Sequence, residues 1–143
     1  MSTLPSGLPD IIADDEDIAR FLTQSSQFNT KMAKPAAFLP NPKDRETSVS
    51  RHGREPSERL WNLGLAAAGN RTLYGAAIFK AHVVRDAHVV RDAGLELTAV
   101  EPPDFHAAIR RWPWFDHDPA EQKAQQKERA ILLASAAGEP VLR

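Results

Sequence analysis

Apolar residues along this chain recur at spacings of three and four in some stretches and of two in others, and the changes of period mark its elements. Ile18, Phe21 and Leu22 follow the acidic run Asp14-Asp15-Glu16-Asp17, which suits the amide end of a helix, so 14–26 is predicted helical. Pro56 fits a first turn, Leu60, Leu63 and Ala67 repeat helically, and Gly69-Asn70 supplies a stop, which predicts a helix over 56–68. Val83, Val84, Ala87, Val90 and Ala93 gather on one side at about 100° per residue, so 80–93 reads as a third helix closed by Gly94. Asp118-Pro119-Ala120-Glu121 offers a cap, a first-turn proline and a glutamate three residues after the cap. The helix it opens, 119–137, is polar at its front, apolar at its rear, and ends at Gly138.

Short alternating or β-branched runs predict strands at 46–51, 72–79, 95–100 and 105–111. Lys34 to Pro42 carries three prolines and reads as an extended surface segment anchored by Phe38 and Leu39. Together these elements predict an α+β fold: one domain over 14–138, with a small mixed sheet of about four short strands and about four helices. A flexible N-terminal arm, 1–13, precedes it, and a short tail, 139–143, follows.

His82–Ala87 (HVVRDA) is repeated without change at His88–Ala93. Six residues turn a helix by about 240°, so the two copies face different surroundings. The repeat therefore reads as a slipped duplication that the fold absorbs, and one copy is expected to be dispensable. A histidine metal array would instead want partners four apart on one helix face.

Composition narrows the class of protein. With 143 residues, 42% hydrophobic, the chain suits a single domain. A net charge of -1, balanced in both halves, argues against a basic nucleic-acid sleeve and against an acidic tail. The lack of cysteine rules out disulfides, thiolate zinc sites and cysteine catalysis, and it fits a cytoplasmic protein. No apolar run approaches the roughly 18 residues of a membrane span, and the first ten residues do not read as a signal peptide, so no membrane association is expected.

Candidate chemistry is sparse. There is no Walker loop, G-x-G-x-x-G, H-E-x-x-H or G-x-S-x-G, so no cofactor is expected. His52 and His106, if folding joins them, could move protons to and from a phosphodiester while Arg51 holds the anion. Asp116-His117-Asp118 contains metal-ligand types, but consecutive residues converge poorly on one ion and Asp118 serves as a cap, so no metal is expected. Arg110, Arg111, Trp112 and Trp114 combine charge with aromatic area, which suits a binding surface for a protein, or for single-stranded nucleic acid by stacking.

The arrangement KPAAF, TSVSR, GLELTAV and HAAI over the central two thirds resembles patterns in short bacterial proteins. That resemblance implies a bacterial source and no particular activity. The leading expectation is a non-catalytic binding or accessory module of a bacterial cytoplasmic assembly, with a protein partner. A small phosphodiester- or nucleotide-processing enzyme using the histidine pair is the alternative.

Overall fold

The computed structural model describes residues 3–51, 57–86 and 94–143. Among them the chain forms six strands, β1 (Asp17–Leu22), β2 (Thr47–Arg51), β3 (Gly75–Lys80), β4 (Glu96–Ala99), β5 (His106–Arg110) and β6 (Val141–Leu142). Three helices accompany them, α1 (Ser57–Ala68), α2 (Ala81–Asp86) and α3 (Pro119–Ala137). All six strands lie in one sheet of order β4-β5-β2-β1-β3-β6. The class expected from sequence, α+β in a single small domain, is what the structure shows, with more strands, fewer helices and a wholly antiparallel set of pairings in place of a mixed sheet.

The main correction is β1. Residues 14–26 were expected to be helical, yet 17–22 is the strand next to the centre of the sheet. Ile18 and Leu22 point to one face and Ala19 and Phe21 to the other, and all four are buried. A strand covered on both faces is apolar at consecutive positions, so its pattern mimics a short amphipathic helix. The acidic lead-in serves ion pairs instead of a helix dipole: Asp17 meets Lys80 at 2.7 Å, Glu16 binds Arg51, and Asp14 binds Arg85. Two smaller differences are β6, two residues long, and the 3₁₀ turn Pro35–Phe38 within the segment expected to be extended.

Because β1 pairs antiparallel with both β2 and β3, those two strands run parallel with β1 between them, and α1 makes the crossover. Leu60 and Ala68 of α1 pack with Ala19, Phe21, Leu73 and Ala76 on one face. On the other face Ala130, Leu133 and Ala134 of α3, Val84 of α2 and Phe38 of the 3₁₀ turn form the larger core with Ile18, Val49, Phe79 and Ile109. The cap expected for α3 is present, Asp118 Oδ1 accepting from the Glu121 amide at 3.2 Å.

Segments outside the sheet are tied to it at named points. Ser6 donates through its amide and its hydroxyl to the Glu101 carboxylate at 2.9 and 2.7 Å, and Pro9 O accepts from Arg51 at 2.8 Å. Ile12 is buried. The second HVVRDA copy, His88–Ala93, lies outside the described residues, as does Ala87 of the first. No helix among the described residues is long and apolar enough to cross a membrane.

A candidate anion-binding cleft between diverging strands

The β1–β2 ladder is short, with registered pairs only at Ile18–Arg51 and Ala19–Ser50. Beyond them the strands part, while β1 stays paired to β3 through Leu22 and β2 stays paired to β5 through Thr47. The gap opens into a cavity of about 480 Å³, within the range of small-molecule clefts. Its walls come from both strands, the segment after Pro35, the end of α1 and the β4–β5 turn, and include Phe21, Leu39, Val49 and Ala67 as apolar surface.

Arg20 stands where the ladder ends. Its Nε donates to Ala37 O at 2.7 Å and its Nη1 to Ser48 O at 2.9 Å, so the guanidinium takes up a strand carbonyl that lacks a ladder partner. No carboxylate among the described residues pairs with it. Burial, together with the like charge of Arg71, lowers its pKa to about 10, which leaves it cationic at neutral pH. Arg71 lines the same cavity and is held by Ala68 O at 3.1 Å, Ala67 O at 3.0 Å and Thr23 Oγ1 at 3.4 Å. It too lacks an ion pair among the described residues.

Neutral polar groups complete the lining. Gln27 accepts the Thr23 and Gln24 amides on Oε1 at 2.9 and 3.2 Å, which leaves its Nε2 as a donor. Ser48 and Ser50 contribute hydroxyls from β2. His106, opposite Ser50 on β5, donates from Nδ1 to Val100 O at 2.9 Å, so its Nε2 is the uncommitted nitrogen. Glu46 also lines the cavity, and its charge is met by Arg110. Among the described residues, two guanidiniums against one neutralised carboxylate make this an electropositive recess.

Of the residues singled out from sequence, His106 is at the cleft, and His52 lies outside the described residues, so the histidine pair is not placed. Arg51 is fully buried and bound bidentately by Glu16, at 2.5 and 3.0 Å, which commits it to the core and away from any anion. Arg110 is engaged with Glu46. Trp112 is buried in the larger core and donates from Nε1 to Ile109 O at 3.2 Å, so its ring is not available for stacking on a nucleobase. Arg111 is exposed, and Trp114 is partly covered by the Arg45 guanidinium at 4.7 Å from its ring centre. Asp116, His117 and Asp118 are exposed, and among the described residues no three histidine or carboxylate side chains gather as a metal site.

Sequence reasoning passed over Arg20 and Arg71. The available signal was an arginine in the middle of the run Ile18-Ala19-Arg20-Phe21-Leu22, where a core-facing position carries a charge. Nothing comparable marked Arg71, which joins the site only through the fold. Compared with known proteins, the chain matches no family model, no curated protein and no solved structure.

Proposed function

We propose that this protein is a non-catalytic binding module that captures a small organic anion in the cleft between β1 and β2. The observation that carries the reading is Arg20: a recessed guanidinium fixed by two backbone carbonyls, with Arg71 beside it and, among the described residues, no carboxylate answering either charge. Arg20 is half-buried and has no counter-ion among the described residues, so a bound anion gains more there than at an exposed arginine. Fixing the donors in advance also lowers the ordering penalty of binding. The absence of cysteine supports a cytoplasmic setting, and the same module would serve a larger assembly by presenting its ligand to a protein partner.

The test is a thermal-shift series with benzoate and phenyl phosphate on the wild type and on Arg20→Gln. The expected result is a rise in melting temperature for the wild type that the variant loses while it still unfolds cooperatively. No shift with either anion would overturn the proposal.

His106 favours one second reading, phosphodiester processing, because its Nδ1 is anchored and its Nε2 is uncommitted at the cleft. Among the described residues no second imidazole lines the cavity, whereas acid–base cleavage of a diester normally uses two proton-transferring groups. Turnover of bis(4-nitrophenyl) phosphate that disappears in His106→Gln would favour this reading over simple binding.

A further inference from the structure

Resting on the anion-cleft reading, we infer that the ligand is a phosphate monoester, a dianionic head on an organic body, and not a carboxylate or another singly charged anion. Charge comes first. Arg20 and Arg71 line one cavity from different elements, and neither has a carboxylate partner among the described residues. Glu46, the acid in that wall, is already answered by Arg110. A monoanion would leave one of the two guanidiniums uncompensated. A phosphate monoester carries close to two negative charges at neutral pH and matches both.

Donor chemistry agrees. A carboxylate has two oxygens in one plane, and a single guanidinium fork satisfies them. A phosphoryl group has three terminal oxygens spread in space. The cleft offers donors on separate walls: Arg20 on β1, Arg71 after α1, the Gln27 amide, and the Ser48 and Ser50 hydroxyls on β2. Donors so dispersed suit a tetrahedral head better than a flat one.

Size and surface point to the organic body. A cavity of about 480 Å³ is far larger than a phosphate group needs, and Phe21, Leu39 and Val49 give part of its wall an apolar character. Inorganic phosphate would answer the charges and leave that wall wet. A monoester with an apolar or aromatic body uses both.

The experiment compares two probes of nearly the same shape and different charge, phenyl phosphate and phenyl sulfate, by calorimetric titration of the full chain at pH 7.5. Inorganic phosphate and benzoate are run beside them. Phenyl phosphate is expected to bind about tenfold or more tightly than phenyl sulfate, as one extra charge near two guanidiniums implies at a partly screened site. It is also expected to exceed both inorganic phosphate and benzoate. In Arg71→Gln, whose side chain is on the surface, both probes should bind more weakly, phenyl phosphate losing more than phenyl sulfate, so that the preference for phosphate over sulfate shrinks to about threefold. Circular dichroism confirms that this variant is folded, and the wild-type comparison stands without it. Equal binding of phenyl phosphate and phenyl sulfate overturns the dianion inference and leaves the anion cleft intact. Binding of none of the four probes overturns both. Binding of inorganic phosphate as tight as that of phenyl phosphate removes the organic body.

Discussion

Replacing Glu16 by glutamine keeps the side chain's shape and removes its charge, and the structure says what that should do. Arg51 is fully buried; Nε and Nη2 donate to the two Glu16 oxygens at 2.5 and 3.0 Å, and Nη1 donates to Pro9 O. Without the carboxylate the buried cation loses its direct partner and keeps the more distant charge of Glu101; breaking a buried pair in this way costs about 3–5 kcal/mol. Glutamine retains one acceptor oxygen, and the Glu16 side chain keeps 16% of its surface, so water can reach the site. The lower end, about 3 kcal/mol, is therefore expected. For a domain of this size that lowers the melting temperature by about 6–12 °C. Urea unfolding followed by tryptophan fluorescence measures the loss. The double variant Glu16→Leu with Arg51→Met should recover most of it, because a packed apolar pair of similar volume is generally as stable as a buried ion pair. A loss below about 1 kcal/mol for Glu16→Gln, or a double variant no better than the single one, would refute the view that Arg51 depends on this carboxylate.

Trp112→Ala should cost about 3–5 kcal/mol in the same urea assay, as for a large core side chain, whereas Trp114→Ala, whose ring carries one arginine contact, should cost about 1 kcal/mol or less. Gly64 lies in α1 against the sheet, and a methyl group there would sit 2.8 Å from Leu73 Cδ2 and Phe21 Cε1. Gly64→Ala gains about 1 kcal/mol of helix propensity and loses about 1–3 kcal/mol to overpacking, so thermal melting should show a net loss, and a stabilised variant would show that α1 can move off Phe21. For Glu101, burial alone would raise the carboxyl pKa, but hydrogen bonds from Ser6 and Phe105 outweigh it and hold the group below the usual glutamate range. A depressed native pKa stabilises the fold above the unfolded value near 4.5 and stops doing so as pH falls through the native value. The melting advantage of wild type over Glu101→Gln should therefore be full at pH 6 and close as pH falls toward 3; an advantage unchanged over that range would contradict the clasp.

What could be read from the residues, and what could not, divides along physical lines. The bounds of α3 agree with the expected 119–137 because its signals are local: a capping aspartate, a proline in the first turn and a terminal glycine. Strands β2, β4 and β5 fall inside their expected ranges, since each has at least one face whose neighbours differ in polarity from the other. The residues of β1 mimic a helical pattern because a strand packed on both sides loses its alternation. β6 is too short to show a period, and its place is set by a close approach to Gly75, where an added Cβ would strike Val141 O. The cleft was the least legible feature. It arises where a ladder stops, and it joins Arg20, Arg71 and His106 from distant parts of the chain, so no spacing among them announces it. Arg51 and Trp112 were legible as unusual residues, but whether an arginine or a tryptophan faces a ligand or a core is decided by tertiary packing.

The position of β1 has a consequence for how the chain is born. Its ladder to β2 has two pairs, while the ladder to β3 has six and cannot form until residues 75–80 have been made. At about 5–20 residues per second, a delay of some sixty residues leaves β1 without its main partner for about 3–12 s. During that interval a segment apolar on both faces is exposed to other nascent chains, the kind of stretch that gatekeeper charges protect. Arg20 interrupts it at its middle. The residue that gives the cleft its recessed charge thus also guards the unpaired strand during synthesis, and Arg20→Gln should lower soluble yield in cells even where the purified variant folds as well as the wild type.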